Sequence, residues 1–68
     1  MRWTDVTTIA EELRDKFPEV DPKTVRFVEL HNWVCQLEGF DDDPQRGGER
    51  VLEAIQAAWI SEAEEDED

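Results

Sequence analysis

The stretch that decides the fold is residues 21–44, DPKTVRFVELHNWVCQLEGFDDDP, which an Asp-Pro pair closes at each end. Apolar residues recur inside it at the spacing of one helix face, and these are Phe27, Leu30, Trp33, Val34 and Leu37. The spacing predicts a helix over about 27–38, with Gly39 at its C-terminal cap. Asp21 and Pro22 have the residue types of an N-cap and a first helical position, so a turn or short irregular segment is expected over 22–26.

Two further helices are predicted on either side of this stretch. One covers about 5–17, with Thr4 as its N-cap and Pro18 just past its end. The other covers about 49–63. Their apolar stripes are Val6, Ile9, Ala10, Leu13 and Phe17 in the first, and Val51, Leu52, Ile55, Ala58 and Trp59 in the last. The sequence therefore predicts an all-α fold, a compact three-helix domain.

The remaining segments are expected to be a loop and a tail. Residues 39–48 are rich in Gly and Asp and predict a loop, which Phe40 anchors to the core. The final EEDED, residues 64–68, has nothing apolar to bury and predicts a disordered acidic tail. A single helical domain over 1–63 is the expected organisation.

Acidity is the dominant property of the composition. The 68 residues include 19 acidic and 7 basic side chains, for a net charge of −12. Six of the last seven residues are acidic, which leaves −6 for the rest of the chain. This charge repels phosphate backbones and anionic lipids and attracts basic surfaces or cations. We therefore expect no nucleic-acid binding and no membrane association.

The N-terminus and the cysteine content indicate a compartment. The first residues lack the continuous apolar segment of a signal peptide, and no apolar run approaches the roughly 20 residues of a membrane helix. The single cysteine, Cys35, excludes an internal disulfide and suits a reducing environment. A cytoplasmic location is expected.

Residues with reactive or aromatic side chains mostly predict structural roles. His31 and Cys35 are four residues apart on one helix, but the chain has no second His or Cys to complete a soft metal site. No evident partner activates the thiol as a nucleophile, so we expect no enzyme activity. Each of the three tryptophans begins or lies on an apolar stripe, so Trp3, Trp33 and Trp59 are expected in the core.

The acidic side chains are the better candidates for function. Asp41, Asp42 and Asp43 lack the spacing of an EF-hand, and alone they are more typical of a solvated, capped turn. If the helices pack antiparallel, we expect some of the other acids to share a surface with them, from among Glu11, Asp15, Glu19, Asp21, Glu29 and Glu38. Such oxygen-only clusters bind hard divalent ions, including Fe²⁺, Mn²⁺ and Ca²⁺, weakly and with open coordination.

Five blocks of sequence, taken together, carry a family resemblance. They are WTD at 3–5, DPKTVRF at 21–27, LHNWV at 30–34, FDDDP at 40–44 and LEAIQAAW at 52–59. In this order and spacing the chain resembles the IscX family, small acidic proteins associated with bacterial iron–sulphur cluster assembly. The resemblance implies a helical domain related to a winged helix, without the DNA binding of that fold. It also implies weak Fe²⁺ binding, and binding to the cysteine desulfurase in competition with frataxin-type proteins.

The resemblance places both iron binding and partner binding on the acidic positions, without settling which of them contact iron and which contact the enzyme. It implies a metal site drawn from Glu11, Asp15, Glu19, Asp21, Asp41, Asp42 and Asp43. It implies partner binding through Glu11, Asp15, Asp21, Glu29, Glu38, Asp41, Asp42 and Asp43. Two functions follow as hypotheses: an adaptor that modulates the desulfurase, or a ferrous-iron donor. Charge alone also leaves open a DNA mimic that inhibits nucleic-acid-binding proteins.

Overall fold

The computed structural model describes residues 1–65, which form three α-helices. These are α1 (Val6–Lys16), α2 (Phe27–Cys35) and α3 (Glu49–Glu65), with short 3₁₀ helices at Pro22–Thr24 and Pro44–Arg46. No strand occurs in the described residues. The Cα radius of gyration is 10.9 Å, close to the roughly 11 Å expected of a compact chain of this length. The predicted all-α, three-helix architecture is confirmed.

Helix α1 begins one residue later than its predicted cap requires. Asp5, not Thr4, occupies the N-cap position, and its side chain makes no cap hydrogen bond. Its carboxylate instead accepts from the backbone N–H of Arg2 at 2.8 Å, while its own N–H donates to the Arg2 carbonyl at 2.9 Å. Thr4 lies inside the turn that Arg2 and Asp5 close, so the assignment of Thr4 as the cap was wrong.

The segment before α2 follows the sequence prediction, whereas the end of α2 does not. Asp21 accepts from the backbone N–H of Lys23 at 3.0 Å and caps the 3₁₀ turn. Helix α2 ends at Cys35, three residues before the predicted 38. The N–H of Leu37 donates to the Val34 carbonyl at 3.1 Å, which tightens the chain into a turn. Gly39 has the left-handed φ of +86° expected of a capping glycine, but the C-cap of α2 is Gln36. Gly39 lies in the following turn, where the Phe40 N–H donates to the Leu37 carbonyl at 3.1 Å.

Helix α3 extends beyond its predicted end at 63. Glu64 and Glu65 belong to the helix, so their assignment to a disordered tail was wrong. Arg14 of α1 donates from Nη1 to Glu62 Oε2 at 2.9 Å, which fastens the end of α3 to α1. Residues 66–68 of the predicted tail lie outside the described residues.

The core forms where the apolar stripes of the three helices meet. Its largest fully buried side chains are Trp59, Ile9, Leu13, Leu30, Ile55 and Val34. Trp3 and Trp59 are 2% and 1% exposed, as predicted for core residues. Trp33 is half-buried and stacks on Phe17 with ring centroids 4.5 Å apart. The predicted helix faces are therefore those that pack.

Helix α3 also holds the segment between α1 and α2. The side-chain amide of Gln56 donates to the carbonyls of Pro22 and Val25, at 2.8 and 3.1 Å. The two bonds satisfy carbonyls that an irregular segment cannot pair within a helix. They fix residues 21–25 against α3, beside the C-terminal end of α1.

None of the helices in residues 1–65 combines the length and the apolar character that crossing a membrane requires.

Candidate functional site

His31 and Cys35 make contacts that fit the expected structural role. The Nε2–H of His31 donates to the Pro44 carbonyl at 2.6 Å, because a carbonyl can only accept. This leaves Nδ1 facing the Cys35 thiol, 3.9 Å from Sγ. The imidazole also stacks on Trp3, with ring centroids 5.3 Å apart. Burial raises the pKa of the Cys35 thiol, which favours the protonated form over the nucleophilic thiolate.

Trp3 fastens the loop after α2 to the N-terminal segment. Its backbone N–H donates to Asp42 Oδ2 at 3.0 Å, and its indole Nε1–H donates to the Asp43 carbonyl at 2.8 Å. Its ring makes a T-shaped contact with Phe40, with centroids 4.9 Å apart. The predicted anchoring role of Phe40 is confirmed, and Trp3 is the residue it packs on.

The carboxylates of Asp42 and Asp43 are occupied by the loop's own backbone. Asp42 Oδ1 accepts from the N–H of Asp43 at 2.7 Å, and Asp43 Oδ1 accepts from the N–H of Gln45 at 2.9 Å. The N–H groups of Trp3 and Asp43 hold the pKa of the Asp42 carboxyl below its ordinary value. Within the triplet, this backbone pairing makes Asp42 and Asp43 turn-forming residues.

The lowered pKa of Asp42 predicts a contribution to acid stability. Its folded-state pKa lies below that of the unfolded chain, about 3.9, so the stabilisation is present above that pH. It is lost as the pH falls through the lowered folded-state value. We expect urea unfolding of Asp42→Asn to depend less on pH below about 4 than that of the wild type. Identical pH dependence in the two proteins would contradict this role.

A second group of acids surrounds a groove at the other end of α1. The groove has a cavity volume of about 850 Å³ and lies between the segment after α1 and the last turns of α3. Its charged rim consists of Arg14, Asp15, Glu19, Asp21, Lys23 and Glu64. Apolar side chains in its lining include Phe17, Val20, Trp59 and Ile60. We call this feature, defined by these residues, the α1–α3 groove.

The structure divides the predicted acidic site into two places. Residues 41–43 lie against residues 1–3, before α1, while Glu19 and Asp21 follow its C-terminal end. Helix α1 has 11 residues and spans about 16 Å at 1.5 Å per residue. Glu11, Glu29 and Glu38 are exposed but do not line the groove. One ion therefore cannot contact all seven predicted metal positions.

The described residues contain no preformed metal centre. Within residues 1–65, no group of three or more His, Cys, Asp or Glu side chains is arranged to hold a metal ion. The groove does bring Asp15, Glu19 and Asp21 to one surface, together with two basic side chains. Any ion bound there depends on water or on side-chain movement to complete its coordination.

The sequence was compared with known proteins. The family model described as iron-sulphur cluster assembly, which represents the IscX family, matches residues 1–64. The chain belongs to the IscX family. An uncharacterized protein of Pseudomonas aeruginosa is 61% identical over 62 residues, which cover 91% of this chain and 94% of the relative. The family resemblance found in the five sequence blocks is therefore confirmed.

Several contacts of this IscX-family chain were missed by sequence reasoning. Glu64 was assigned to a tail, yet it lines the groove and lies 3.7 Å from Lys23 Nζ. Gly47 was read only as a loop residue, yet a Cβ atom there would lie 2.5 Å from the Trp3 ring. No helical period relates residues this far apart in the chain. The acidic run could have suggested ion pairs with Arg14 and Lys23, but not their location.

Proposed function

We propose that the chain is a non-enzymatic accessory protein of iron–sulphur cluster assembly that binds the cysteine desulfurase and modulates its activity. Membership of the family supports the assembly role. The main observation behind the proposal is the net charge of −12. Among the described residues, no charged side chain is buried, so this charge lies at the surface. A surface of this kind suits docking on a basic patch, because complementary charge accelerates encounter and selects the partner.

The proposal includes competition and location. A frataxin-type protein that uses the same basic patch would compete with this chain, and both would act in the cytoplasm. The relation to winged helices also stays a proposal. Only the order of the three helices supports it, because residues 1–65 contain no strand that could form a wing.

Isothermal titration of the desulfurase with the full chain tests this function. We expect binding at low salt that weakens steeply as the Debye length falls from about 10 Å at 0.1 M to about 3 Å at 1 M. Sulphide release by the desulfurase should change over the same concentration range of added protein. The double variant Glu11→Lys, Asp15→Lys should bind more weakly. Absence of binding at low salt, or binding unchanged in the double variant, would contradict the proposal.

A ferrous-iron donor is the second candidate. Its support is the three carboxylates, Asp15, Glu19 and Asp21, that line one groove. Two basic side chains on the same rim oppose a bound cation, so the affinity is expected to be low. Fe²⁺ should then broaden NMR signals around this groove in the wild type, and Glu19→Gln should reduce the effect. Broadening confined to residues 66–68 would contradict specific iron binding.

A further inference from the structure

The α1–α3 groove combines an apolar floor with an excess of negative charge. Four acidic side chains and two basic ones line it. Phe17, Val20 and Ile60 are only half-buried, so part of their apolar surface faces the groove. Exposed apolar surface rimmed by polar residues is typical of an interaction site.

The ion pairs on the rim can be exchanged for contacts with a partner. Lys23 Nζ lies 3.7 Å from Glu64 Oε1, and Arg14 Nη2 lies 3.7 Å from Asp15 Oδ1. Both carboxylates are well exposed, and exposed pairs at this distance hold their geometry weakly. Within residues 1–65, no salt bridge involves Glu19. A basic side chain of a partner can therefore bind here at little cost.

The loop at the other end of α1 uses part of its acidic charge in its own hydrogen bonds. The carboxylates of Asp42 and Asp43 already accept backbone N–H groups, and Trp3 is buried beneath the loop. A partner that engaged Asp42 would contact a carboxylate whose two oxygens each already accept a backbone N–H. The groove joins exposed carboxylates to three half-buried apolar side chains on one surface.

We infer that the α1–α3 groove receives a segment of the partner protein in which basic residues flank one large apolar side chain. The apolar side chain packs on Phe17, Val20 and Ile60, and the basic side chains pair with Glu19 and the neighbouring rim carboxylates. The inference rests on the proposed function, because it names the surface through which that docking occurs. It assigns specificity to apolar contact within the groove in addition to charge.

Two variants distinguish docking in the groove from a general electrostatic attraction to the whole protein surface. Glu19→Lys reverses a rim charge, and Ala63→Trp fills the groove without changing the net charge, since Ala63 is a half-buried lining residue of α3. The matched control is Glu53→Lys, an exposed residue of α3 that does not line the groove. Circular dichroism should confirm that all three variants keep the helical fold.

Isothermal titration with the purified cysteine desulfurase is the test. We expect each groove variant to weaken binding by about tenfold or more, and Glu53→Lys by about threefold or less. Only the loss caused by Ala63→Trp should persist at high salt, because it is not electrostatic. If the wild type binds but both groove variants bind equally well, the groove is not the docking surface and the proposed function survives. If the wild type does not bind, the proposed function itself fails.

Discussion

Replacing Trp3 by alanine should lower the free energy of unfolding by about 3 to 5 kcal/mol, the range for a large aromatic residue removed from a core. Trp3 is 2% exposed and packs between His31 and Phe40. Its indole N–H, which alanine lacks, also donates to the Asp43 carbonyl. A small domain has only about 5 to 15 kcal/mol in total, so the variant should lose a large fraction of its stability. Urea denaturation followed by far-ultraviolet circular dichroism measures the change.

Trp3→Phe is the matched control for this prediction. It keeps an aromatic ring between His31 and Phe40 but removes the indole hydrogen bond to the Asp43 carbonyl. The loss should be about 1 to 2 kcal/mol, mainly from that bond and a smaller ring. A loss below about 1 kcal/mol for Trp3→Ala would contradict the role of Trp3 as the anchor of the loop.

Leu30→Ala should lower the free energy of unfolding by about 2 to 5 kcal/mol. Leu30 is 0% exposed and lies on α2 at the centre of the core. Alanine leaves a cavity there, because the surrounding side chains relax only in part. The same urea denaturation experiment measures the loss.

Val28→Ala tests the opposite side of the same helix. Val28 is 74% exposed, so its truncation should change stability by less than about 0.5 kcal/mol. Equal losses for Leu30→Ala and Val28→Ala would show that the face of α2 assigned to the core is wrong.

The helices were predictable because their apolar stripes repeat at the helical period. The same periodicity placed Leu30 on the apolar stripe of α2, and that stripe does not include Val28. The predictions that were wrong concern residues whose structure depends on specific side-chain contacts, which the helical period does not predict. Thr4 was preferred as a cap on residue type, whereas Asp5 takes the position within a turn closed by Arg2. Glu64 was assigned to a disordered tail because it begins an acidic run, whereas Arg14 holds the last turns of α3 to α1 through its ion pair with Glu62.

The candidate site was predictable in its chemistry more than in its geometry. Composition indicated the acidic side chains as the candidates for function, and that assignment stays a prediction. It could not show that Trp3 fastens residues 42 and 43 to the N-terminal segment, since those contacts join residues about 40 positions apart. Nor could it show that the ends of α1 and α3 enclose a groove.

An NMR map of the isotopically labelled chain titrated with the cysteine desulfurase tests the central claim most directly. We expect amide signals of residues 14–23 and 59–64 to shift or broaden first, because these segments form the α1–α3 groove. Signals of residues 39–47 should change much less, because these residues lie at the other end of α1 from the groove. Changes concentrated in residues 39–47, or none at low salt, would contradict the account.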